Sequence, residues 1–180
     1  MNNKYLIIVE VKNDFVTGAL CYKSSELVVP KIMYLSDEFD NIILTKDTHF
    51  PGYENTLEGA RIPAHCKFKT EGYSVYDPLY NKIKQRYTDG DCTMAELSKT
   101  TFGTFGIKSP IMSSISNVGP VELHLCGLLT DICVITNALI LRTQFPNAAI
   151  FIHKDCCVGS SVENHNAALK VAESCLIDII

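Results

Sequence analysis

The sequence predicts an α/β protein of three αβα layers, a mainly parallel sheet with helices on both faces. Apolar runs of strand length alternate along the chain with stretches whose apolar residues recur at helical spacing. The first run is nearly continuous rather than alternating, as in strands covered on both sides. With 180 residues, 47% of them hydrophobic, the chain has enough apolar side chain for one sizeable core, so 1–180 is read as a single domain.

Taken in order, Tyr5-Leu-Ile-Ile-Val-Glu-Val is the first strand, and 26–39 has helical spacing. Asn41-Ile-Ile-Leu-Thr is a second buried strand. Residues 50–72 are rich in Gly, Pro, Thr and charge with no period, and are read as loop. A loop that long inside a compact domain is often functional. A helix is predicted over 75–87. Val121-Glu-Leu-His-Leu is a strand leading into a helix over 131–143. Ala148-Ala-Ile-Phe-Ile-His is another strand, 162–175 another helix, and Leu176-Ile-Asp-Ile-Ile a closing strand. There is no internal repeat, low-complexity tract or linker.

Composition excludes several functions. The net charge of −4, with no long basic block and no basic patch interleaved with aromatics, argues against nucleic acid as a partner. The apolar runs fall far short of the roughly 20 residues needed to span a bilayer, so no membrane partner is expected. Met-Asn-Asn-Lys leads into the first strand without signal-peptide architecture, and a cytoplasmic protein is expected. The eight cysteines (21, 66, 92, 126, 133, 156, 157, 175) are then read as reduced. None forms a Cys-x-x-Cys pair, which disfavours a zinc ribbon or a thioredoxin-type site. Cys126 and Cys175 lie in apolar runs and read as core. Cys156 and Cys157 are strand neighbours, so they point to opposite faces.

Ligands of parallel sheets bind at the carboxyl ends of the strands. Three polar clusters fall there: Glu10, Lys12 and Asp14; Lys46, Asp47 and His49; Thr130, Asp131 and Cys133. In Cys126-Gly-Leu-Leu-Thr-Asp-Ile-Cys133, Thr130 or Asp131 is a natural N-cap, which places Cys133 in the first turn of a helix. Free N–H groups and the helix dipole there favour a thiolate, as a nucleophile needs. A buried structural cysteine is the alternative reading of the same pattern.

Together these segments resemble the isochorismatase-like cysteine hydrolases, and most closely the nicotinamidase branch. The likeness runs through Ile7-Ile-Val-Glu-Val-Lys-Asn-Asp-Phe-Val-Thr-Gly-Ala-Leu20, Thr45-Lys-Asp-Thr-His49, Glu58-Gly-x-x-x-Pro-x-His-Cys66, Lys99 before an aromatic segment, and Gly127-Leu-Leu-Thr-Asp-Ile-Cys133. The resemblance implies a catalytic set of a cysteine, a carboxylate and a lysine, here Cys133, Glu10 and Lys99. It also implies an oxyanion hole from the backbone N–H groups of Leu129 and Cys133, with a cis peptide between Leu128 and Leu129. Two residues depart from the family's usual Asp-x-Gln-Asn-Asp-Phe. Glu10 stands where aspartate is usual, one methylene longer. Lys12 stands where glutamine is usual and, two residues on along a strand, is expected to face and pair with Glu10.

A metal group of Asp47, His49, Glu58 and His65 is expected. Asp47 and His49 lie two apart at a strand end, so both can point the same way. Two imidazoles and two carboxylates suit Zn²⁺, and also Fe²⁺ or Mn²⁺. Phe15, Ile62 and Phe102 match positions that clasp the ring in the family, although an aromatic residue is common where Ile62 stands. His124, His153 and His165 read as structural. The resemblance thus implies a metal-assisted amidohydrolase converting nicotinamide to nicotinate and ammonia through a thioester on Cys133, a step of NAD salvage. Its partner is a small amide, and a homo-oligomer is expected. Alternatives are hydrolysis of another small amide, of the vinyl ether of isochorismate, or binding of a pyridine-like metabolite without catalysis.

Overall fold

Each apolar run named above becomes a strand of one sheet. The computed structural model describes residues 3–114 and 120–180. The strands are β1 (Lys4–Val9), β2 (Asn41–Asp47), β3 (Thr93–Lys99), β4 (Glu122–Leu128), β5 (Ala149–Val158) and β6 (Asp178–Ile179). They are ordered β3-β2-β1-β4-β5-β6, and every neighbouring pair is parallel. Leu6, Ile7, Ile8 and Val9 of β1 are buried at the centre, as their unbroken apolar run requires.

The connections carry helices: α1 (Asn13–Val16), α2 (Ser25–Ser36), α3 (Asp77–Asp89), α4 (Lys108–Ser114), α5 (Ile135–Gln144) and α6 (Val162–Ser174). Parallel crossovers are right-handed. Strand order grows in one direction from β1 to β3 and in the other from β4 to β6, which places α2 and α3 on one face and α5 and α6 on the other. The reversal falls between β1 and β4, and a ligand crevice opens at the carboxyl ends on either side of such a switch point.

Local chemistry sets the helix ends. Pro78 occupies the first turn of α3, and Gly90 ends it at φ +83, its N–H reaching the carbonyls of Arg86 and Tyr87. Ser161 caps α6, its hydroxyl accepting the Asn164 N–H at 3.0 Å.

Several boundaries differ from expectation. β3 was not predicted: Thr93-Met-Ala-Glu-Leu-Ser-Lys lies at the sheet edge, largely half-buried or exposed, and shows no apolar run. Helices α1 and α4 are too short to display a helical period. β5 continues beyond His153 through Cys156 and Cys157 to Val158, and its register with β4 shifts between Leu125 and Gly127. Gly127 lies at φ +118, and a Cβ there would stand 2.0 Å from the Val9 carbonyl oxygen. Only glycine lets β4 pass that close to the end of β1. No helix among the described residues is long and apolar enough to cross a membrane.

His124 and His153 are part of the core, away from the strand ends. His124 Nδ1 and His153 Nε2 lie 2.9 Å apart, and the His124 ring stacks on Phe151 at 4.6 Å and meets Phe39 at 4.9 Å. Burial, the neighbouring His153 and Lys4 push the His124 imidazole down to about 3 from 6.5. Burial and Lys4 lower His153 as well, against the opposing charge of Glu38. Glu122, 3.6 Å from His124 Nε2, is the other charged group facing the pair. The folded chain therefore binds fewer protons than the unfolded chain between pH 6.5 and about 3. Stability should fall as pH drops across that window, and His124→Phe should flatten the fall. Urea denaturation at a series of pH values checks both; an equal slope in the variant would remove His124 as the cause.

Candidate active site

The site assembles from the ends of four strands and the loop that follows β2. β1 stops at Val9, two residues sooner than expected, because Glu10 turns to φ +55. That reversal corrects the pairing expected of Lys12. With the strand broken, residues 10 and 12 no longer share a face. Lys12 Nζ instead donates to the Asp47 carbonyl and lies 4.2 Å from the centre of the Tyr73 ring, fully buried. Burial lowers its pKa, while Cys66, Glu10 and Asp47 act the other way.

Glu10 points into the sheet end, accepts two hydrogen bonds and forms an ion pair. The Thr45 hydroxyl donates at 2.7 Å, the Asp47 N–H donates to the other oxygen, and Lys99 Nζ lies 3.3 Å away. The side chain is fully buried. A carboxylate accepts only, so three donors around it match its ionised form. Lys99, the last residue of β3, also reaches Cys133 Sγ at 3.7 Å, Asp47 Oδ1 at 3.6 Å and the Thr101 carbonyl at 2.8 Å. Burial alone would lower its pKa; the negative charge of Glu10, helped by Asp47, opposes burial and holds it a cation. Glu10, Lys99 and Cys133 are thus brought together, with the lysine between the other two.

Cys133 lies in a π-helical turn, Thr130–Val134, that precedes α5. The N-cap expected at Thr130 or Asp131 is not formed. Leu129 occupies the cap position without a side-chain bond, the Thr130 hydroxyl pairs with His165 Nδ1 at 2.8 Å, and Asp131 accepts from Ser160 instead. The expected thiolate is corrected too. Burial pushes the Cys133 thiol up, and Glu10, Asp47 and Glu58 add to that against the single opposing charge of Lys99. Burial, with the three carboxylates added, outweighs the one lysine. The Leu128–Leu129 peptide is cis.

The expected metal group also converges. One ligand atom from each of Asp47, His49, Glu58 and His65 lies within 4.8 Å of all the others. His49 Nε2 is 3.0 Å from Asp47 Oδ2, 3.3 Å from His65 Nε2 and 3.5 Å from Glu58 Oε1. The loop is held in place by backbone pairing, His49 N–H to the Cys66 carbonyl at 3.0 Å and Phe68 N–H to the His49 carbonyl at 2.9 Å. His65 Nδ1 donates to the Pro63 carbonyl at 2.8 Å, and its Nε2 faces Asp47 Oδ2 at 3.1 Å, so Nε2 offers a lone pair to a cation when the ring is neutral. Acceptors face one another only with a proton or a cation between them, so this buried group fits a metal ion. Burial would raise the Asp47 carboxyl, but bonds from His49 and His65 and the charge of Lys99 hold it well below the usual carboxylate range.

A narrow cleft, with an interior volume of about 30 Å³, opens over these groups. Asp47, Glu58, His65, Leu129 and Cys133 line it, whereas Glu10 and Lys99 lie behind the thiol. Phe15, Ile62 and Phe102 are all on its wall, as expected. Phe15 meets the His65 ring edge-on at 5.3 Å, and Phe102 stands at the rim, 40% exposed.

Sequence reasoning missed other contributors. Leu20, Tyr22 and Ile132 also line the cleft. Asp14 accepts from the Cys66 N–H at 2.6 Å and the Ala19 N–H at 3.1 Å, tying α1 and the segment after it to the residue beside His65. Asn137 donates to the Cys133 carbonyl at 2.8 Å and accepts from the Thr104 N–H at 3.0 Å, which fixes the segment after Phe102 against the cysteine turn. The one signal for it was a polar residue four after Cys133 in an apolar helix. Tyr53 stacks on His49 with ring centres 4.0 Å apart.

The switch-point cleft of this doubly wound sheet brings a lysine-contacted cysteine beside a four-residue group able to ligate a metal. Comparison with known proteins makes this specific. The family model described as the isochorismatase domain matches residues 4–180, and the chain belongs to the isochorismatase family. An isochorismatase family protein of Bacillus subtilis (strain 168), PncA, is 30% identical over 177 residues, 92% of each chain. A Schizosaccharomyces pombe nicotinamidase is 26% identical over 204 residues, covering 97% of this chain and 91% of the relative. The crystal structure of the Bacillus subtilis nicotinamidase/pyrazinamidase PncA superposes with a TM-score of 0.82 at 27% identity over 98% of each chain.

Proposed function

We propose that this protein is a metal-assisted cysteine amidohydrolase that converts nicotinamide to nicotinate and ammonia. The observation that carries the reading is the meeting, in one cleft, of a lysine-contacted thiol and a buried donor group suited to a divalent metal. Relatives named as nicotinamidases support the choice of amide.

Asp47, His49, Glu58 and His65 would hold the metal, zinc by preference for this nitrogen and oxygen set, with iron or manganese also accommodated. When bound, it supplies a Lewis acid for the pyridine nitrogen. The chain's own residues do the rest. Phe15, Ile62 and Phe102 hold the flat ring. Cys133 Sγ attacks the carboxamide carbon, and its proton ends on Glu10. Lys99, touching both, keeps the charges together as the proton moves. The N–H groups of Leu129 and Cys133 receive the developing oxyanion. The proton returned from Glu10 leaves with the amine as ammonia, and water then cleaves the thioester, releasing nicotinate and restoring the thiol.

Ammonia release from nicotinamide by zinc-loaded protein tests the reading, with benzamide, which lacks the ring nitrogen, and isochorismate alongside. Nicotinamide should be the preferred substrate, and a chelator should abolish turnover until zinc is restored. Equal turnover of benzamide would remove the metal's role in orienting the ring. Pyruvate from isochorismate without ammonia from nicotinamide would replace the proposal with the vinyl-ether reading.

A further inference from the structure

A second and larger cavity lies beside the cleft. It is open to solvent and has an interior volume of about 400 Å³, and Lys23, Ser24, Cys157, Ser160 and His165 are among its lining residues. Tyr22 is the one residue that lines both spaces. Around Tyr22 the boundary is built from fixed parts. The segment carrying it is pinned by Leu20 N–H to the Asp14 carbonyl at 2.9 Å and by Ser25 N–H to the Tyr22 carbonyl at 2.8 Å. Across from it, Asp131 accepts the Ser160 N–H at 2.8 Å, and Thr130 pairs with His165 at 2.8 Å. Those bonds lock the cysteine turn, whose Ile132 lines the cleft, to the segment that lines the larger cavity.

We infer that Tyr22 sets the size limit of the substrate. Its ring closes the cleft to a single-ring planar amide, and the cavity beside it, walled by Cys157, Val158 and Val162 as well as by polar side chains, is room that a fused-ring amide would enter once the ring is removed. The inference rests on the proposed reaction for its choice of ligands, and its geometry stands apart from turnover. A steric wall rejects a larger group strongly, while a pocket distinguishes smaller changes by only about 10- to 200-fold per methylene-sized difference.

The test is calorimetric binding of nicotinamide and of a quinoline carboxamide to the zinc-loaded wild type, Tyr22→Ala and Tyr22→Phe, with ammonia release measured separately. The affinity ratio within each variant cancels any common loss of folded protein. Tyr22→Ala should shift the ratio toward the quinoline amide by about tenfold or more, and Tyr22→Phe should leave it unchanged, since the ring rather than the hydroxyl is the wall. An unchanged ratio in Tyr22→Ala overturns the inference, as does wild type that binds both amides equally. Tight binding of nicotinamide with the predicted ratio shift but no ammonia release would defeat the proposed reaction and leave the wall intact. Absence of binding by either amide to any variant would overturn both.

Discussion

Cys133→Ala should abolish ammonia release, whereas Cys156→Ala and Cys157→Ala should leave it near the wild-type rate. All eight thiols are free. Among the described residues, Cys133 alone combines a place on the cleft wall with contact to a lysine. Burial pushes the Cys157 thiol up to about 12, relieved only by a hydrogen bond with the Gly127 backbone. Burial raises Cys156 too, and Lys31 opposes it while Asp155 and Glu38 add to it. Removing a nucleophile that works as part of a unit costs roughly 10⁶-fold in turnover. Steady-state rates for the three variants, with folding checked by circular dichroism, decide the matter; equal losses in all three would end the assignment. Burial pushes the Cys133 thiol up, and the proposed reaction passes its proton to Glu10.

Glu10→Gln should lower turnover by about 10²–10⁴-fold, the usual worth of general acid–base help. Three donors surround Glu10: the Thr45 hydroxyl, the Asp47 N–H and Lys99. An amide brings one acceptor and two N–H donors into that site, so it removes the proton acceptor and leaves Lys99 without its partner. Glu10→Asp keeps the negative charge opposite Lys99 and should retain at least about tenfold more activity than Glu10→Gln, within the range that acid–base help spans. Single-turnover rates with nicotinamide measure both. Wild-type turnover in Glu10→Gln would make Glu10 a structural counter-ion of Lys99, with the proton handled elsewhere.

The catalytic and metal candidates were legible because each sits at the end of a recognisable apolar run or in the long loop after one. Asp47 and His49 follow the second strand, and a spacing of two brings both side chains to one ion-sized space. The cysteine turn was legible from a strand followed by a helix. β3 was not, because an edge strand needs no apolar run; the lysine was found only through family resemblance. Lys12 was misread for a backbone reason. A single residue at positive φ reverses the facing of everything after it, and glutamate carries no sequence mark for that conformation. The cis Leu128–Leu129 peptide came from resemblance alone, since non-proline cis bonds are too rare for any pattern to propose them.

By itself the sequence determined the layer architecture, the order of most strands and helices, and which side chains collect at the strand ends, because hydrophobic periodicity and chain order are local properties. Tertiary structure alone decided that Lys99 stands between Glu10 and Cys133, that Cys133 is buried near three carboxylates, that Lys12 turns to Asp47 and Tyr73, and that Tyr22 borders both the cleft and the cavity beside it. Those outcomes depend on distances between segments remote in the chain and on the loss of water around them, and neither quantity is written in the order of the residues.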